Sequence, residues 1–284
     1  MAKTNSSRRS IGINKSLEKR ALWKPPLWQA WWTVLMFGFM YLPIAVLAFY
    51  SFNESAISAQ WTGFSFKWYS RFFHDERILQ ALSDSLKVAL GSVTIAAFFG
   101  TLMAVGLARY RFWGRDIYQN TVYLPLIIPD ISIAVATLVF LAAMTVPLSL
   151  GTIIASHVVF CLAYVSLAVS TRINTLDSHL EEAAQDLGAT PFESFRFVLL
   201  PQLYPAIISG CLLAFVCSMD DFLIASFTAG GGINTLPMEI YSRIRTNLTP
   251  DLNALSVVLI LASGLVVLLA EFIRRRSEAK RSRV

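Results

Sequence analysis

The chain has 284 residues, 55% of them hydrophobic and only 15% charged, against roughly 45–50% and about 25% in soluble domains. With a mean hydropathy of +0.57, this excludes a disordered chain and argues against an ordinary soluble domain, because the apolar residues gather into runs long enough to cross a hydrocarbon layer of about 30 Å. The formal charge of +6 does not point to nucleic acid, since seven of the 24 basic residues lie in the first 24 positions and six in the last eleven, as in lipid-facing tails beside membrane spans.

Six apolar runs follow one another at 30–52, 82–108, 121–146, 151–171, 205–229 and 253–273, each close to the roughly 20 residues that a spanning helix needs. They predict an all-α, polytopic membrane protein with six transmembrane helices over 30–273, between a basic tail at 1–29 and another at 274–284. The first run is longer than the roughly 7–15 apolar residues of a secretory signal and reads as a retained anchor. Of the Lys and Arg residues, 18 fall in the two tails and in segments 109–120 and 172–204, and five in 53–81 and 230–252, with Lys87 inside the second run. By the positive-inside rule both termini and the two richer loops face the cytoplasm.

After the first run, segment 53–81 sets Trp61, Phe64, Phe66, Trp68, Tyr69, Phe72 and Phe73 among Lys67, Arg71, His74, Asp75 and Glu76. That mixture suits an interfacial helix, or an aromatic belt that only anchors the fold. In the third run Asp130 follows Pro129, and Pro125 and Pro129 together predict a polar notch of freed carbonyls. The fourth run carries His157, read as a packed or interhelically bonded histidine. Cys161, Cys211 and Cys217 all sit in apolar surroundings and read as packing residues.

Segment 172–204 is too well punctuated to be a plain connector. Ser178 and Glu181 have capping-box spacing, and Leu180, Ala183, Ala184 and Leu187 recur at helical intervals. Gly188 falls where a helix ends in a left-handed residue, and Thr190-Pro191-Phe192-Glu193 starts a second helix with its own capping box, closed by Pro201. Phe192, Phe195 and Val198 or Leu199 would give it an apolar stripe. Two short helices folded over a glycine present an apolar knob to a protein partner. The fifth run holds Asp220 and Asp221, about 100° apart on a continuous helix and so unable to face one way. An acid inside the hydrocarbon costs about 2.5–3.5 kcal/mol on insertion scales. Measured along unbroken helices, Asp130 lies about 14 Å and Asp220 about 22 Å from the cytoplasmic start. All three aspartates read either as the lining of a path for a cation or as structural residues at helix breaks.

The sequence has no phosphate-binding glycine loop of the G-x-x-x-x-G-K-[ST] type. Its three histidines lie in unrelated segments and no catalytic constellation emerges.

Glu182-Ala183-Ala184, then Gly188, Val198 and Leu200-Pro201, resemble the EAA loop of permease subunits in ABC importers of the type I fold, whose pattern is E-A-A-x3-G-x9-I-x-L-P. Only Val198 departs from it. The resemblance implies a transport subunit that is not an enzyme. Glu182, Ala183, Ala184, Gly188, Leu200 and Pro201 would couple it to a separate cytoplasmic ATPase dimer that binds ATP and Mg, with no cofactor on this chain.

Further stretches, Ser218-Met219-Asp220-Asp221-Phe222-Leu223-Ile224-Ala225-Ser226-Phe227, Tyr50-Ser51-Phe52-Asn53, Trp61-Thr62-Gly63-Phe64 and Leu124-Pro125-Leu126-Ile127-Ile128-Pro129-Asp130, are similar to those of putrescine and spermidine permeases. That resemblance implies a bacterial inner-membrane location, a second homologous permease, a periplasmic binding protein and a polyamine cargo, putrescine ahead of spermidine. Ferric ion, thiamine or an opine would be the cargo of other members. An ion-driven secondary transporter is the competing class.

Overall fold

The computed structural model describes residues 27–55, 60–177, 179–246 and 250–281. Most of the N-terminal basic tail, Ser178 of the first expected capping box and the last three residues lie outside the described part. Among the described residues the regular elements are all helices, joined by turns and irregular stretches, with an isolated bridge between Asn53 and Phe64. In order the helices are α1 (Leu27–Tyr50), α2 (Lys67–Phe73), α3 (Glu76–Arg109), α4 (Arg115–Tyr123), α5 (Asp130–Ala143), α6 (Leu150–Ile173), α7 (His179–Asp186), α8 (Pro191–Glu193), α9 (Leu200–Asp220), α10 (Leu223–Thr228), α11 (Leu236–Thr246) and α12 (Pro250–Arg281). Among the described residues, α1, α3, α6 and the unbroken run Pro191–Asp220 are long and apolar enough to cross a bilayer. The bent pair Arg115–Leu126 and Asp130–Ala143 makes a fifth when taken as one span. Helix α12 covers the sixth predicted run, with its described apolar stretch at Asp251–Leu265.

Contacts divide the chain into two units, one ending at Tyr50 and the other starting at Ser51. In the first, α1 is apolar on every side and exposed from Trp28 to Val46. A helix with no polar face is a membrane helix rather than a surface one. In the second unit, α3, α6 and α9 form the core. Ala96, Gly100 and Ala104 recur every four residues on α3 and are fully or nearly fully buried. A side chain at Gly100 would meet Val165 and the Leu162 carbonyl at 3.1–3.2 Å, and one at Gly210 of α9 would meet the Val165 backbone at 3.0 Å. Small residues let membrane helices approach on their backbones, where dispersion rather than water exclusion holds them together.

A second cluster ties the far ends of α3, α11 and α12. The Arg243 guanidinium donates to Glu239 at 2.7 Å, to Asp75 at 2.8 Å and to Asp251 at 3.2 Å. Asp75 also caps α3, accepting from the Arg77 and Ile78 amides. Burial alone would push its carboxyl up, but Arg243 and these amides overcome that and hold it below the usual range. Beside it, Trp68 and Phe72 of the short α2 are buried, whereas Phe64, Phe66 and Phe73 are exposed.

Three sequence expectations are corrected. The third run is not one helix: α4 and a 3-10 turn at Leu124–Leu126 are bent by 108° from α5, because Pro129 has an extended backbone and a proline disfavours helix in the residue before it. The fifth run ends its long helix at Asp220 and restarts at Leu223. Pro201 does not close the second loop helix, since the chain stays helical from Pro191 to Asp220. A π-helical segment at Ser194–Leu199 ends just before Leu200-Pro201, in the turn that leads into the proline. Its wider turn accommodates a residue that has no N–H and whose ring crowds the preceding turn.

Candidate functional site

Both helix breaks place an aspartate at the end of a helix. Asp130 is the first residue of α5, at the positive end of the helix dipole. Asp220 is the last residue of α9, and Asp221 follows in extended conformation. The Asp221 carboxylate accepts from the Ile224 amide at 3.3 Å and the Ala225 amide at 2.9 Å, satisfying N–H groups that the first turn of α10 cannot use itself.

The two breaks meet at one cavity of about 360 Å³, whose wall includes Asp130, Asp220 and Asp221 with Pro125, Phe160 and Tyr164. Asp220 and Asp221 therefore do face the same space. The 100° argument fails because it holds only within a helix, and the helix stops between them. The depths along unbroken helices fail for the same reason. Asp130 and Asp220 are exposed, and among the described residues neither has a hydrogen-bond or ion-pair partner. The Asp221 side chain is 10% exposed and lies 3.2 Å from Nε2 of His157. Lys87, the cation that the sequence puts nearest, is paired at 2.9 Å with Asp84 on its own helix. The volume suits a small solute. Carboxylates beside aromatic walls attract cations both by charge and through ring faces.

Sequence reading missed three things here. Asp84, buried in the second run, was masked by the lysine one turn on. His157 was expected to be packed or to bond another helix, and it is buried and bonds Ser218, but nothing in the sequence paired it with Asp221. Phe160 and Tyr164 look like any apolar face.

In the loop at 172–204, α7 ends in a Schellman turn. The Gly188 amide donates to Gln185 and the Ala189 amide to Ala184, with Gly188 at φ +94°, as anticipated for a left-handed glycine. Thr190 and Glu193 form the expected capping box, at 2.8 and 3.3 Å. Those bonds hold the Glu193 carboxyl below its ordinary range, and Glu182 raises His179 above its own. Glu182, Ala183 and Gly188 are exposed, Ala184 and Leu200 half-buried. Leu187, Phe192 and Phe197 are 90%, 66% and 68% exposed, which gives the apolar knob. The expected second stripe is only partly outward, because Leu199 is buried in the core and Phe195 packs against it. Arg109, ending α3, forms an ion pair with Glu181 of α7, so the knob is tied to a core helix.

Helices interrupted at acids, joined to an exposed helical knob, define a membrane transport subunit. Residues 96–283 match the family described as binding-protein-dependent transport system inner membrane component, and the chain belongs to it. It is 40% identical over 263 residues to the putrescine transport system permease protein PotI of Escherichia coli strain K12, covering 90% of this chain and 94% of that one. It is 36% identical over 243 residues to the spermidine/putrescine transport system permease protein PotC of Haemophilus influenzae, covering 86% and 95%. Among solved structures, a chain of a bacterial ABC transporter that imports the acidic polysaccharide alginate superposes with a TM-score of 0.72 at 18% identity, covering 93% of this chain and 98% of that one. The fold is thus that of an ABC importer permease of the type I class.

Proposed function

We propose that this chain is the permease subunit of an ATP-driven polyamine importer of a bacterial inner membrane, with putrescine its main cargo and spermidine next. The observation that carries this reading is the meeting of three carboxylates, two of them without a partner among the described residues, at one small cavity between broken helices. Acids in a membrane segment are expensive and are stabilised by water or a cationic cargo. The names of the relatives at 36–40% identity support the chemical class.

In this reading the chain spans the membrane six times with both termini in the cytoplasm. It pairs with a homologous permease to enclose the path, and a periplasmic binding protein delivers the diamine. A cytoplasmic ATPase dimer, which holds ATP and Mg, docks below. Glu182, Ala183, Ala184 and Gly188 form the contact, and Leu200 and Pro201 carry its movement into the helix that ends at Asp220. ATP binding closes the ATPases, draws the loops together and opens the path outward; hydrolysis lets it relax inward.

The test is uptake of labelled putrescine by cells lacking their own polyamine importers and supplied with this chain and its partner subunits. Uptake is expected to depend on ATP and to fall roughly tenfold or more in Asp220→Asn or Asp221→Asn, on loss of a close charge. An assembled, ATP-hydrolysing complex that takes up no polyamine would remove the cargo assignment.

A further inference from the structure

Behind the cavity wall lies a histidine that the cargo reading does not use. His157 on α6 is 1% exposed, and its ring packs at 5.1 Å on Phe160, which lines the cavity. Its Nδ1 is 2.8 Å from the Ser218 hydroxyl on α9. That hydroxyl is only 3.5 Å from Ser92 on α3, and Ser92 spends its own proton on the Val88 carbonyl at 2.8 Å. With the Ser218 hydroxyl donating to Nδ1, a neutral ring carries its proton on Nε2.

That Nε2 is 3.2 Å from the Asp221 carboxylate but off the hydrogen-bond axis, and it is buried with no hydrogen-bond partner. A buried N–H without an acceptor is rare in native structures. Asp221 is therefore claimed from two sides, by the α10 amides in front and by His157 behind.

We propose that His157 is a positioning residue of the cation cavity: its Nε2, already 3.2 Å from the Asp221 carboxylate, closes onto that carboxylate when cargo binds and holds it toward the cargo. This rests on the cavity being the cargo site. The titratable groups around the ring are Asp221 from the α9–α10 break and Cys161 on α6. Cys217, Tyr164, Asp130 and Asp220 belong to the cavity beyond it. Helix α3 presents Ser92.

The experiment uses the complete importer in lipid vesicles and compares putrescine import by wild type, His157→Gln and His157→Phe. Glutamine can still donate to the carboxylate, so His157→Gln should keep KM within about twofold of wild type. His157→Phe keeps an aromatic ring but loses the donor, and should raise KM about tenfold with little change in maximal rate. A wild-type KM in His157→Phe, or the same KM rise in His157→Gln as in His157→Phe, overturns the inference while wild-type import stands. A wild-type complex that imports no diamine removes the cargo reading and this inference together.

Discussion

A carboxylate among apolar residues stands out in any reading of a sequence, and Asp130, Asp220 and Asp221 were legible for that reason. Their convergence was not, because it depends on two helix breaks whose geometry is set by packing. The same contrast holds at Gly188. A glycine four residues past the EAA alanines is readable as a helix stop, but only the structure shows that a side chain there would meet nothing within 4 Å. Any penalty is therefore conformational, about 1–2 kcal/mol for forcing a left-handed backbone on a residue with a Cβ. Gly188→Val should consequently leave the chain inserted in the membrane at normal level and abolish ATP-driven uptake. Gly188→Asn, which tolerates this backbone, should retain most of it. Quantitative blotting of membranes alongside uptake separates the two outcomes, and equal uptake in both variants would remove Gly188 from the coupling device.

The elements divide by how local their signals are. Helix α6 was readable to within two residues at each end, because a long apolar run leaves little choice of structure, whereas α3 begins six residues before its apolar run, at the polar turn capped by Asp75. The Arg243 cluster was invisible, since its members come from α3, α11 and α12 and no spacing rule connects them. Replacing Arg243 by Met would leave Asp75, Glu239 and Asp251 facing one another with little exposure to water. That should destabilise the purified importer by about 3 kcal/mol, read as a fall in Tm in detergent. Arg243→Lys should recover only part, since a point charge cannot serve three acceptors. Asp75 adds a pH dependence of known sign. Its carboxyl is held below the ordinary range, so its contribution is complete above a pH of about 4 and is lost as pH falls through the lower folded value. Asp75→Asn should therefore melt earlier than wild type at neutral pH, and the gap should close below about pH 4. A gap that persists unchanged in acid would mean that the ionised carboxylate is not what stabilises the cluster.

Across the whole molecule, the knob and the cavity belong to one continuous piece of secondary structure. From Pro191 to Asp220 the chain is helical for 30 residues, about 45 Å at 1.5 Å each. One end carries Phe192 and Phe197 outside the core, and the other ends at the acids. Reading Pro201 as a stop concealed this, because proline's usual effect is local and the π-helical segment that absorbs it is not encoded by any short pattern.

A shaft of this kind fixes phase as well as distance. Each residue added to a helix turns everything beyond it by about 100° and advances it by 1.5 Å. One alanine inserted after Leu212, well inside α9, would leave the knob's chemistry untouched while swinging Asp220 away from Asp130. Inserting four, slightly more than a whole turn, would restore most of the angle. Import by the assembled complex should vanish with one added residue and return in part with four, whereas ATPase docking should survive both. The chain would then be keyed like a camshaft, with the angular offset between its two ends carrying information that neither end holds alone.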